Sequence, residues 1–217
     1  MTLTIYGMTG SPFVRKALVV AEEAGVDCAF EVVNVFAAPD WYVEQNPLKR
    51  MPLAKLNDTY IPDSSAICGA ISRLAPDSNL FPKDAEAYGR ALWIEEYADS
   101  DVAAKIGLGI FRPIIFAPMS GKEPDTETAD KTMAEVLPPV FDYFEKQLNG
   151  GLHFVGDAFT IADVAVLCQM INLRHAGYSP DAEKWPGLNT FIETHSARPI
   201  VRKWIDCDKP VFKASIA

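Results

Sequence analysis

The chain has little from which a metal centre, a disulfide frame or a membrane segment could be built. Its four cysteines, Cys28, Cys68, Cys168 and Cys207, stand far apart, and no C-x-x-C occurs. None of the three histidines, His153, His175 and His195, pairs with them at ligand spacing. The expectation is therefore no metal and no disulfide, with the thiols serving as buried apolar residues. No run of 18 apolar residues is present, and the opening MTLTIYGMTG lacks a basic region followed by a long apolar one. Neither export nor a membrane span is signalled, and the expected location is cytoplasmic. Basic residues are the minority, 20 Lys and Arg against 29 Asp and Glu, for a formal net charge of −9. Such a balance argues against nucleic acid or an anionic membrane as partner. A G-x-S-x-G elbow is missing too: Gly10-Ser11-Pro12 has the wrong form and no histidine near it, which excludes a serine hydrolase centre there.

What is present is 217 residues, 49% of them hydrophobic, enough for a substantial core in one or two domains. The most informative stretch is Asn46 to Ile67, NPLKRMPLAKLNDTYIPDSSAI. Pro52 stands directly before the alternating run Leu53 to Leu56, at the mouth of a strand, where a cis X-Pro bond is most readily accepted. A cis bond there would turn the backbone N–H and C=O of Met51 outward, to pair with an extended ligand as an added strand would. Asn57, Asp58 and Thr59 make a hairpin turn, and Asp63 then caps a helix. The N–H groups of Ser64 and Ser65 fall in its first turn, where an anion is favoured. The alternative is a plain strand entry followed by an ordinary capped helix.

Elsewhere the pattern changes character once. Residues 2–6 are β-rich, Ser11-Pro12 opens a helix to about Gly25, and a second β-rich run spans 29–36, which together make a βαβ unit with parallel strands. With the hairpin and the helix from 64 to about 74, this predicts a thioredoxin-like domain over 1–78. Residues 76–84, PDSNLFPKD, read as a linker, placed at 79–85 in the domain layout, and 86–217 reads as all helical. A long amphipathic helix is predicted over 85–105. From 106 to 124 the mix of Ile110, Phe111, Ile114, Ile115 and Phe116 with Gly107, Gly109, Pro113, Pro118 and Gly121 reads as irregular chain, either a loop tucked on the core or the wall of an apolar pocket. Residues 126–148 read as a helix kinked at Pro138-Pro139. Thr160 and Asp163 form a capping box, and Pro186 and Pro199 each open a further helix.

Four pieces in this order, GSPFVRKALVVAEEAG at 10–25, NPLKRMPLAKL at 46–56, IPDSSAI at 61–67 and FVGDAFTIADVAV at 154–166, resemble the cytosolic glutathione transferases, in a serine-type branch, bacterial theta-like or tau-like. The resemblance spans essentially the whole chain. It implies an α/β thioredoxin-like domain that holds glutathione as co-substrate and an all-helical domain for the second substrate, in a homodimer. It also implies that Pro52 is cis, that the Met51 backbone pairs with the cysteinyl part, that Asp63 and Ser64 hold the γ-glutamyl end and that Arg50 meets the glycyl carboxylate. Lys49 stands where such proteins commonly have Gly, and Asp63 where Glu is more frequent.

Ser11 becomes the catalytic candidate. A free thiol is only about 3% ionised at pH 7, and lowering its pKa by two units makes about three quarters of it thiolate, a gain of about 25-fold. In the serine-type branch the residue at this place donates to the glutathione sulfur; otherwise Ser11 only caps its helix. Tyr6 and Thr9 are competing hydroxyls, and no cysteine lies between Gly7 and Arg15 to support thiol-transfer chemistry. The implied electrophile pocket is Met8, Phe13, Ile110, Phe111, Ile114 and Phe116, with the tail around Phe212 as a possible addition. Asp99 and Asp101 are acidic positions that either reach the cleft or form a solvated face. The implied activity is glutathione transfer to a hydrophobic electrophile. A glutathione-dependent isomerase or peroxidase is the alternative, and a non-catalytic binding or scaffold protein is the alternative of another class.

Overall fold

In a computed structural model, residues 2–208 are described; Phe212 lies outside them. Four strands, β1 (Leu3–Gly7), β2 (Cys28–Val32), β3 (Leu53–Leu56) and β4 (Thr59–Pro62), form one sheet in the order β2-β1-β3-β4. β1 and β2 are parallel, joined by the crossover helix α1 (Pro12–Glu23), and the β1–β3 and β3–β4 pairs are antiparallel. The side-chain period of two divides β1. Leu3 and Ile5 enter the main core with Val14, Leu18 and Ile71, whereas Tyr6 joins Tyr42 and Leu53 on the other face. A short helix that the sequence pattern does not announce, α2 (Asp40–Gln45), supplies Tyr42 to that face. The strand predicted over 29–36 stops at Val32, because Asn34 Oδ1 accepts from the Phe36 N–H at 3.0 Å and starts a single 3-10 turn.

α3 (Ser64–Leu74) packs on α1. The following segment is pinned: Leu80 is buried and its carbonyl accepts from the Ile161 N–H at 2.9 Å. α4 then runs from Ala85 to Met119. This corrects the prediction of irregular chain from 106 onward, since the helix continues by loosening into wider turns. The Ala103 N–H bonds the Ala98 carbonyl and the Ala117 N–H bonds the Arg112 carbonyl, five residues back, and such turns accommodate Pro113. Gly109 is a contact point rather than a breaker, because a Cβ there would lie 2.5 Å from Thr132. The Thr132 hydroxyl is fixed on the Thr128 carbonyl at 2.8 Å and cannot turn away freely. Gly109→Ala is therefore expected to cost about 1–3 kcal/mol by overpacking; an unchanged urea midpoint would contradict the close approach. By length and apolarity α4 could cross a bilayer, yet its Ala91, Ile94, Ala98, Val102, Ile106 and Ile110 are buried within this bundle.

α5 (Thr126–Lys131) also ends in wide turns, and Pro138 sits at the first position of a new helix, α6 (Pro138–Leu148). The two prolines thus begin an element instead of bending one. α7 (Ile161–His175) is the axis of the helical half, buried without a break from Ile161 to Leu173. Its capping box is formed: Asp163 accepts from the Thr160 N–H at 2.8 Å and from the Phe154 N–H at 2.9 Å. α8 (Pro186–Ser196) and α9 (Pro199–Asp208) complete the bundle, each with proline at its first position.

Candidate active site

Where α1 begins, the sheet edge and the helical half enclose a cavity of about 950 Å³. That volume suits a small organic molecule. The cavity lining combines polar residues, Ser11, Lys49 and Arg50, with apolar ones, Met51, Phe30, Phe111, Phe116 and Trp204. Phe36 from the sheet side meets Phe116 of α4 edge to face at 5.9 Å, so aromatic rings from both halves meet at the cavity lining.

Ser11 lines the cavity as the N-cap of α1. Its Oγ accepts from the Val14 N–H at 3.4 Å, a long bond. A hydroxyl has one donor and two acceptor lone pairs, so this cap leaves the O–H available to an incoming sulfur. Thr9 lines the same wall, whereas Tyr6 is buried against Trp41, with ring centroids 5.2 Å apart, and does not.

The Met51-Pro52 peptide is cis. The corner before it is held from below: the Arg50 carbonyl accepts from the Tyr42 hydroxyl at 2.8 Å and from Asn46 Nδ2 at 2.6 Å. Lys49 has φ 52°, a left-handed conformation, which accounts for the frequent Gly at this place in the resembling family. Arg50 and Met51 line the cavity; Pro52, Asp63 and Ser64 do not. Asp63, itself at φ 79°, caps α3 by accepting from the Ser65 and Ala66 N–H groups at 2.8 and 3.2 Å. The Ser65 N–H expected to meet an anion is therefore taken by Asp63, and Ser64 is buried.

Of the implied pocket residues, Met8, Phe13, Phe111 and Phe116 line the cavity. Ile110 and Ile114 do not, because continuation of the helix turns Ile110 into the core and packs Ile114 against it. Asp99 reaches the wall, and Asp101 instead pairs with Lys105 on the outer side of α4.

Two charged clusters escaped the sequence pattern, both rooted in α1, where Arg15 and Lys16 are fully buried. Lys16 Nζ lies 2.6 Å from Glu95 Oε1, contacts Asp99 and donates to Ser65 Oγ at 3.1 Å. Burial pushes the Asp99 carboxyl up to about 6, with the Lys16 charge opposing. Arg15 donates to Asn172 Oδ1 at 2.8 Å, to Asp208 Oδ2 at 2.5 Å and to the Thr9 carbonyl at 3.2 Å. His175 Nε2 lies 2.9 Å from Asp208, and Asn172 Nδ2 donates to the Gly10 carbonyl at 3.1 Å. Burial works against ionisation of Asp208, but the His175 hydrogen bond and the Arg15 charge hold it below the ordinary carboxylate range. The legible signal was two adjacent cations inside the apolar run FVRKALVVA, opposite Glu95 and Asp99 at i, i+4.

Residues 5–79 match the model of the glutathione S-transferase N-terminal domain and residues 110–208 that of the C-terminal domain. The chain belongs to the cytosolic glutathione transferase superfamily. It is 29% identical to glutathione S-transferase 3 of Zea mays, over 94% of this chain and 93% of that protein. It is also 29% identical to elongation factor 1-gamma of Schizosaccharomyces pombe, over 97% of this chain but 52% of that one. Among solved structures, glutathione S-transferase I from maize, in complex with an atrazine glutathione conjugate, superposes with a TM-score of 0.82 at 22% identity, over 97% of this chain and 99% of the other.

Proposed function

We propose that this protein is a glutathione transferase that ionises bound glutathione beside Ser11 and directs the sulfur at a hydrophobic electrophile in the cavity. The observation that carries the reading is Ser11 at the start of α1, on the cavity wall, with its hydroxyl proton uncommitted. In this reading the Met51 backbone pairs with the extended tripeptide, Arg50 takes the glycyl carboxylate, and Asp63 with Ser64 takes the γ-glutamyl end. The thiol proton leaves to solvent, the Ser11 O–H donates to the thiolate, and the apolar lining excludes water from the reacting carbon. The protein works in the cytoplasm as a homodimer. Similarity to maize glutathione S-transferase 3 supports the activity. One observation favours a scaffold instead, the similarity to elongation factor 1-gamma. The two separate by ultraviolet absorbance of bound glutathione thiolate, titrated from about pH 5 to 9, with the thiol of free glutathione near its usual pKa of about 8.5 as reference. A depressed thiol pKa on the protein supports the transferase; failure to bind glutathione supports the scaffold.

A further inference from the structure

Each backbone carbonyl from Met8 to Gly10, in the loop before Ser11, has a donor. The Met8 carbonyl accepts from the Ser11 N–H at 3.0 Å, the Thr9 carbonyl from Arg15 at 3.2 Å and the Gly10 carbonyl from Asn172 Nδ2 at 3.1 Å. The first two donors belong to the same local segment, the loop and α1. Asn172 comes from α7, 162 residues further along the chain. Its amide fits one way round: Arg15 can only donate and the Gly10 carbonyl can only accept, so Oδ1 faces Arg15, at 2.8 Å, and Nδ2 faces Gly10. Arg15 is fully buried and Asn172 is 4% exposed. The peptide between Gly10 and Ser11 is planar, so the Gly10 carbonyl and the Ser11 N–H turn together and carry the Ser11 Cα with them. Glycine leaves that plane more freedom than any other residue would. Here it is gripped at both edges, by Met8 on one and by Asn172 on the other.

Building on the transferase reading, we infer that Asn172 is a positioning residue for Ser11, and that through it the helical half sets how far bound glutathione ionises. A hydroxyl stabilises a thiolate only while its O–H is aimed at the sulfur, because a hydrogen bond weakens steeply as it bends. Asn172 acts on the Gly10 carbonyl and not on the sulfur. Arg15 acts at one remove further, by fixing which end of the amide meets the loop. Without the amide, the Gly10–Ser11 peptide is free to rock about the glycine, and the Ser11 hydroxyl spends part of its time aimed away. The cost falls on the charged form of the thiol alone. It therefore shows as a raised thiol pKa, with binding of the protonated thiol unchanged.

The test is a double-mutant cycle on the full chain: wild type, Asn172→Ala, Ser11→Ala and the two together. Each is read by ultraviolet absorbance of bound glutathione thiolate from about pH 5 to 9. Asn172→Ala is expected to lower the thiolate fraction at about pH 6 by about three- to tenfold, with kcat/KM for benzyl chloride falling in step and recovering above about pH 9. In the Ser11→Ala background the same substitution is expected to change ionisation by less than about twofold, since the hydroxyl it positions is gone. An equal fall in both backgrounds overturns the inference, and so does a depressed wild-type thiol that Asn172→Ala leaves in place. A merely structural role would lower the urea midpoint and leave the ionisation of glutathione on the folded protein where it was. If Asn172→Ala does not fold, Asn172→Asp takes its place, because it keeps the shape and the Arg15 contact but turns an oxygen on the Gly10 carbonyl. Its added charge acts on the thiol in both backgrounds, so a larger fall with Ser11 present upholds the inference and equal falls overturn it. A wild type that binds no glutathione, or leaves its thiol near about 8.5, instead overturns the transferase reading and the role of Asn172 with it.

Discussion

Ser11→Ala returns the thiol of bound glutathione toward about 8.5 and lowers the rate at pH 7 by about 25-fold or more, the ratio of thiolate fractions. The deficit narrows above about pH 9, where the thiol ionises without help. Stability changes little, because the cap that is lost is the 3.4 Å bond to Val14, and N-cap losses of this kind cost about 1 kcal/mol or less at the weak end. Thiolate absorbance, pH–rate profile and urea midpoint on the same variant separate the two roles of the hydroxyl. Equal ionisation in variant and wild type would leave Ser11 as a cap alone and move attention to Thr9, which shares the cavity wall.

Lys16→Met is expected to destabilise the protein by about 3–5 kcal/mol, since it leaves Glu95 and Asp99 buried without their cation. The loss depends on pH, and its sign follows from Asp99, whose carboxyl is raised to about 6 in the folded protein. A raised carboxyl takes up its proton in the folded state before it does so unfolded. The cost of burying its charge is therefore felt above about pH 6 and is relieved as pH falls toward the unfolded value of about 3.9. Without Lys16 the folded value rises further, so the deficit is larger at pH 8 than at pH 5. Urea midpoints at the two pH values measure it. An equal deficit at both would mean that the carboxylates do not carry the charge assigned to them.

The features legible in the sequence were those whose partners lie close in the chain. Ser11-Pro12, Asp63 and the Thr160–Asp163 box each satisfy backbone groups within three residues, and local chemistry suffices to read them. The misread features depend on distant neighbours. Gly107, Gly109 and Pro113 have the composition of a broken segment, but Gly109 is there to admit Thr132 and the wide turns absorb the proline. That error displaced Ile110 and Ile114 onto a wall they do not form. Arg15 meets Asp208 across 193 residues, and Lys16 meets Glu95 across 79. Periodicity shows only two charges on an apolar helix and cannot name what neutralises them.

The Arg15 cluster also joins what the sequence divides. A guanidinium from the thioredoxin-like half is neutralised inside the helical half, and an amide from the helical half supports the loop that presents Ser11. Separation at the linker would strand buried charge on both fragments, so the two halves form a single cooperative unit. A second joint of the same kind, Lys16 with Glu95 and Asp99, ties α1 to α4. A chimera that borrows its helical half from a relative would have to bring Asn172, His175 and Asp208 with it.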